Sequence, residues 1–132
     1  MRFGSEALAA LHLAAPAGAE EVDCAEAVAQ VEMTYCAEEA WRAADAELNG
    51  VRAEALGQAR RLQAHLSAGA PVDIEGDLRA AQRVWIEFRD RACTAESHQA
   101  WGGSMMPMRV YACCERLTER RTQDLRRFAE EM

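Results

Sequence analysis

Residues 34–66 read TYCAEEAWRAADAELNGVRAEALGQARRLQAHL. Within them Trp41, Ala44, Leu48, Val51, Ala55, Leu62 and Leu66 recur at three- and four-residue steps. That period places them on one face of an α-helix. A helix of this length with a single apolar stripe must bury the stripe against other elements. The rest of the chain supplies helical partners and no strand-like alternation.

Downstream, SAGAPVDIEG (residues 67–76) reads as a loop, because Gly69 can stop a helix and Pro71 cannot continue one. Asp77 is placed to cap a second helix over about residues 78–96, with a stripe of Leu78, Ala81, Trp85, Phe88 and Ala92. A loop around residues 101–104 leads to a third helix over about 105–129. Ser104 is placed to cap it, and Pro107 is tolerated in its first turn. Its inner face reads Met106, Val110, Cys113, Leu117, Leu125 and Phe128. Upstream, Asp23 and Glu26 suggest a capping box and a short helix from about Cys24 to before the mid-thirties. The expected fold is all-α: a small disulfide-stapled bundle of three main helices plus that short N-terminal one.

The chain has 132 residues, which suggests one domain. Its eight aromatic residues and many alanines allow only a modest core. Acidic residues outnumber basic ones by 22 to 15, every basic residue is arginine, and the net charge is −7. This balance argues against nucleic acid and against an anionic membrane surface, and favours encounter with a basic protein. No segment is long and apolar enough for membrane insertion.

Five cysteines in so small a chain point to an oxidising compartment. The N-terminus has Arg2, an Ala/Leu-rich run and an A-x-A at Ala17–Ala19, the outline of a signal peptide cut after Ala19. The alternative for residues 1–19 is a disordered or helical arm; residues 20–132 read as a single helical domain. Cys24 and Cys36 are twelve positions apart, so on one straight helix they would be separated by roughly 18 Å, against ~5.5 Å in a disulfide. If they pair, the chain turns between them. Cys93 and Cys113 flank the glycine loop and meet if the second and third helices form a hairpin. Connectivity stays open at this level. No close C-x-x-C pair suggests a metal, and no motif places His98 as base for a cysteine nucleophile. Neither a cofactor nor an enzyme activity is expected.

Three segments taken together are more specific: DCAEAVAQVEMTYCAEEAWRAADAELN, LRAAQRVWIEFRDRAC and GGSMMPMRVYACCERLTERRTQDL. Over about Cys24 to Leu125 the chain resembles the LprI-type lysozyme inhibitor family, in its N-terminal domain. The family's four recurring cysteines fall on Cys24, Cys36, Cys93 and Cys113, with Cys114 extra. The pairing expected with it is Cys24–Cys36 and Cys93–Cys113, Cys114 being free or dimer-forming. The resemblance further implies a periplasmic or secreted protein that inhibits a lysozyme-like peptidoglycan glycosidase, with a basic lysozyme-like partner. The rival reading is an envelope interaction or stress module without a glycosidase target. Two departures stand out: no lipid-attachment box precedes Cys24, and Arg52 occupies a position where the family often has tyrosine.

Within the motifs, Asp45, Asn49, Gln82, Arg89 and Asp90 are expected to form a polar clamp between helices beside the apolar stripes. The loop residues Ser97, His98, Trp101, Gly102, Gly103 and Ser104 are the candidate contact surface, since functional residues collect on loops. The competing reading is a turn whose Trp101 covers the core edge.

Overall fold

The computed structural model describes residues 20–130, so the signal peptide or arm expected over residues 1–19 lies outside the described residues. The described chain is all-α: α1 (Gln30–His65), α2 (Ile74–Ser97) and α3 (Met106–Glu130), with a 3₁₀ turn at His98–Ala100. The 36 residues of α1 extend for roughly 54 Å.

Local chemistry shifts three element starts from their expected places. Residues 24–26 form a turn, not a short helix. Asp23 Oδ1 accepts the Ala25 amide at 3.0 Å, and its carbonyl accepts the Glu26 amide at 3.1 Å. An Asp side chain bonded two residues on favours a turn over helix propagation. α1 then begins at Gln30, where the Glu32 carboxylate accepts the Ala29 amide at 3.3 Å. α2 is capped by Asp73 instead of Asp77: Asp73 Oδ1 accepts the Gly76 amide at 2.9 Å. A Cβ at Gly76 would run into the Asp73 carboxylate, so any larger residue there would have to displace the capping side chain. At α3, Met105 and not Ser104 holds the cap position, its carbonyl accepting the Arg109 amide at 3.1 Å.

The helices run up, down and up. α1 and α3 are parallel, as the bonds Gln30–Met108 (3.5 Å) and Arg126–Glu47 (2.7 Å) show. α2 is antiparallel to both, with Arg60–Glu75 at 2.9 Å toward α1 and Arg116–Glu96 at 2.7 Å toward α3. One core cluster joins Leu48, Val51 and Ala55 to Leu125, with Leu78, Trp85 and Phe128 packed against it. The other gathers Cys93, Cys113 and Cys114 with Trp41, Val110 and Leu117. Leu66, last of the α1 stripe, lies beyond the helix and is exposed.

The apolar stripe expected on α2 is only partly the buried one. Phe88 and Ala81 face solvent, while Gln82, Arg89, Cys93 and Ser97 are buried. This rotation lets Cys93 reach Cys113 and Arg89 reach Asp45. It forgoes the roughly 1.5–3 kcal/mol that burying a phenylalanine supplies. The staple is worth a similar amount, about 2–4 kcal/mol.

Both expected disulfides are present, Cys24–Cys36 with Cα atoms 5.6 Å apart and Cys93–Cys113 with 5.4 Å. Cys114 is free and buried, and burial pushes its thiol pKa upward. Its 4% exposure gives Cys114 little access to a thiol of a second chain. In the native protein a thiol reagent at neutral pH should leave Cys114 unmodified, and unfolding should expose one thiol. Cys24 is exposed whereas Cys93 and Cys113 are buried. Mild reductant followed by alkylation and peptide mapping should therefore label Cys24 and Cys36 first.

Glu75 bridges α1 and α2 by accepting from Arg60 at 2.9 Å and from Arg79 at 2.7 Å. The hydrogen bonds from Arg60 and then Arg79 hold its carboxyl at about 2, below the ordinary 4.5. A depressed carboxyl pKa contributes stability above the unfolded value, and the contribution is lost as pH falls through the folded one. Glu75→Gln should thus flatten the loss of stability between pH 4.5 and about 2, as read by urea unfolding at a series of pH values.

Candidate functional site

The buried polar centre of the molecule is Arg89. Its side chain is 8% exposed, while Asp45 and Asp90 beside it are 40% and 58% exposed. Arg89 Nε donates to Asp90 Oδ1 at 2.9 Å, and Nη1 donates across to Asp45 Oδ1 on α1 at 3.3 Å. The guanidinium carbon lies 5.3 Å from the Trp41 ring centroid and 5.1 Å from that of Trp85. The charge is thus held between two indole rings, where cation–π attraction replaces part of the lost hydration. Within the expected clamp the desolvated partner is the arginine, and the carboxylates stay partly hydrated. It divides its donors between two carboxylates instead of gripping one bidentately.

The other motif residues lie nearby. Asn49 Nδ2 donates to Asp45 Oδ2 at 3.5 Å. Gln82 Oε1 accepts from Arg121 Nε on α3 at 3.0 Å, while its buried Nε2 has no acceptor. Burial lowers the pKa of Arg121. Asp45, Asn49, Gln82 and Arg89 line one cleft of about 410 Å³ between α1 and α2, whereas Asp90 is turned outward. The sequence reading does not single out the arginines that share this cleft, Arg52, Arg79 and Arg83, as site residues. The available signal is the four-residue spacing of Arg79 and Arg83, which sets both on one helical face.

The loop residues separate into two groups. Ser97 is the last residue of α2, fully buried, and its hydroxyl donates to the Thr94 carbonyl at 2.7 Å. His98 opens the 3₁₀ turn, and its ring meets Trp101 edge-on with centroids 5.5 Å apart. Trp101 is 76% exposed, so it does not cover the core edge. Gly102 has φ +74°, a left-handed conformation that glycine adopts without strain. Gly103 donates its amide to the Ala100 carbonyl at 3.0 Å, closing the turn. Ser104 shares a shallow surface depression with Val31 and Tyr35 of α1. Among the described residues, no three His, Cys, Asp or Glu side chains gather as metal ligands, and no helix is long and apolar enough to cross a membrane.

Three helices, two disulfides and an arginine-centred clasp define a small stapled helical domain. A model of the family described as lysozyme inhibitor LprI matches residues 23–125, and the chain belongs to that family. It is also similar to an uncharacterized protein of Rhizobium meliloti (strain 1021), 39% identical over 139 residues spanning 98% of this chain and 97% of that relative. No solved structure matches.

Arg89→Ala should destabilise the domain by about 2–4 kcal/mol, because it removes the cation between two rings and leaves a cavity. Asp45→Asn should cost less, about 1 kcal/mol or under, since that carboxylate is partly hydrated. Thermal and urea unfolding of the two variants measure the difference. An unchanged Arg89→Ala stability with lost binding activity would instead make Arg89 part of a recognition site.

Proposed function

We propose that the chain is an exported, periplasmic or secreted inhibitor of a lysozyme-like peptidoglycan glycosidase, acting by steric occlusion. It is itself neither an enzyme nor a cofactor protein in this reading. Membership of the lysozyme inhibitor LprI family supports the target class. The observation that carries the reading is an exposed apolar surface at one end of the bundle. Trp101 is 76% and Val31 77% exposed there, and Tyr35 and Met105 are exposed as well. The loop and the start of α1 share this end, because Gln30 contacts Met108 at the start of α3. Apolar surface left in water without a packing role marks interaction sites.

The chemistry fits a glycosidase cleft. Such clefts are lined by two carboxylates, to which an inserted segment offers hydrogen-bond donors. His98 and Ser104 supply donors, Trp101 supplies rigid contact area, and the turn at Gly102 presents them. The −7 charge favours encounter with a basic enzyme.

Binding kinetics against a panel of basic lysozymes, at two salt concentrations, test this. Association should slow as salt rises, since exposed charges are screened over ~8 Å at physiological ionic strength. Trp101→Ala should speed dissociation by about tenfold or more, with smaller effects at His98 and Ser104. Absence of binding to the whole panel would refute the inhibitor reading and favour an envelope interaction module. Binding indifferent to all three substitutions would move the contact surface elsewhere.

A further inference from the structure

The α1–α2 cleft contains an electrostatic arrangement that the fold leaves uncompensated. The antiparallel register that sets Arg60 opposite Glu75 and Asp45 opposite Arg89 also sets Arg52 opposite Arg83. The first two are attractive pairs across the helix interface. The third brings like charges to opposite walls of one cleft, in a chain whose net charge is negative. Like charges that face each other disfavour one another unless an anion lies between them. Arg79 and Arg89 in the same cleft already have carboxylate partners. Arg52 and Arg83 have no hydrogen bond or ion pair to any described residue.

A second feature of the cleft is its apolar lining. The walls beside these arginines are Trp85, Leu48 and Ile86. The cleft volume, about 410 Å³, lies in the range of small-molecule sites.

We propose that this cleft binds a small organic carboxylate carrying a compact apolar or ring-shaped body. The carboxylate oxygens accept from Arg52 and Arg83, and the body packs against Trp85, Leu48 and Ile86. Inorganic phosphate fits less well. It has no apolar part for those walls, and its second charge would lie beside the Asp45 carboxylate. The cleft is concave, so it receives a ligand and does not reach into the cleft of another protein. The proposal is therefore independent of the lysozyme reading, which concerns the end of the bundle around Trp101.

The test uses the whole oxidised chain and three probes: benzoate, its neutral counterpart benzamide, and inorganic phosphate. Two-dimensional NMR titration at low salt should give saturable shifts at the Trp85 indole and the Arg52 side chain with benzoate. The dissociation constant should be about 1 mM, the range of a weak fragment. Arg52→Gln with Arg83→Gln should weaken benzoate binding by about tenfold, the scale of a lost charge-assisted contact. Arg120→Gln, an exposed position on α3, should leave it unchanged. The double variant should melt no lower than the parent without ligand, since neither arginine has a partner to lose. Arg83→Gln alone provides the reading should the double variant fail to fold. Equal binding of benzamide, tighter binding of phosphate, or unchanged benzoate binding in the arginine variants would each overturn the proposal. So would the absence of any saturable shift with benzoate.

Discussion

A single guanidinium organises this bundle. Arg89 brings a permanent charge into the space between two tryptophans from different helices, and taking such a charge out of water costs several kcal/mol. That cost is tolerable only if α1 and α2 hold one rotation and one register relative to each other. The Trp41 ring and Asp45 must both arrive from α1, while Trp85 and Asp90 are already beside the charge on α2. A shift along either helix would take Asp45 and the Trp41 ring away from the charge and leave Asp90, its neighbour on α2, as the remaining partner. Specificity of alignment follows from this intolerance more than from the apolar contacts, which are few and alanine-rich.

The same constraint explains why α2 buries polar side chains and exposes Phe88. With Arg89 turned inward, the helical period also turns Gln82, Cys93 and Ser97 inward. Cys93 then meets Cys113, and Gln82 meets Arg121. The staple, the clasp and the amide contact lie along one line of α2, and α2 is oriented by polar and covalent bonds more than by its hydrophobic pattern.

How far the sequence could be read follows from this. The long helix was legible from Trp41 to Leu62, because α1 obeys the apolar period that any buried helix face shows. The four paired cysteines were legible through the family pattern, and spacing alone left their partners open. On α2, periodicity pointed to Phe88 and Ala81 as inward residues, since a pattern of apolar positions carries no information about a buried arginine. The turn at Asp23 and the cap at Asp73 were misplaced for a related reason. Asp73 and Asp77 both stand near the start of α2, and which amide such a side chain bonds depends on the local path of the chain. The motif residues Asp45, Asn49, Gln82 and Arg89 were singled out from sequence, but the cleft they share was not visible there. A cleft is a property of two helices held apart at a particular distance, and Arg52 and Arg83 become neighbours only through the antiparallel register.

The two disulfides also give the bundle a mechanical polarity. Cys24–Cys36 ties the entry segment to the start of α1, and Cys93–Cys113 ties the end of α2 to the start of α3. Both cross-links therefore lie at the end that carries Trp101. The opposite end, where α1 finishes at His65 and α2 begins at Ile74, has only non-covalent ties among the described residues. The two cross-links restrain the Trp101 end against local opening, whereas the other end relies on bonds such as those of Glu75. A surface built on the stiff end has already lost most of its conformational freedom before it meets anything, so little remains to be lost on association.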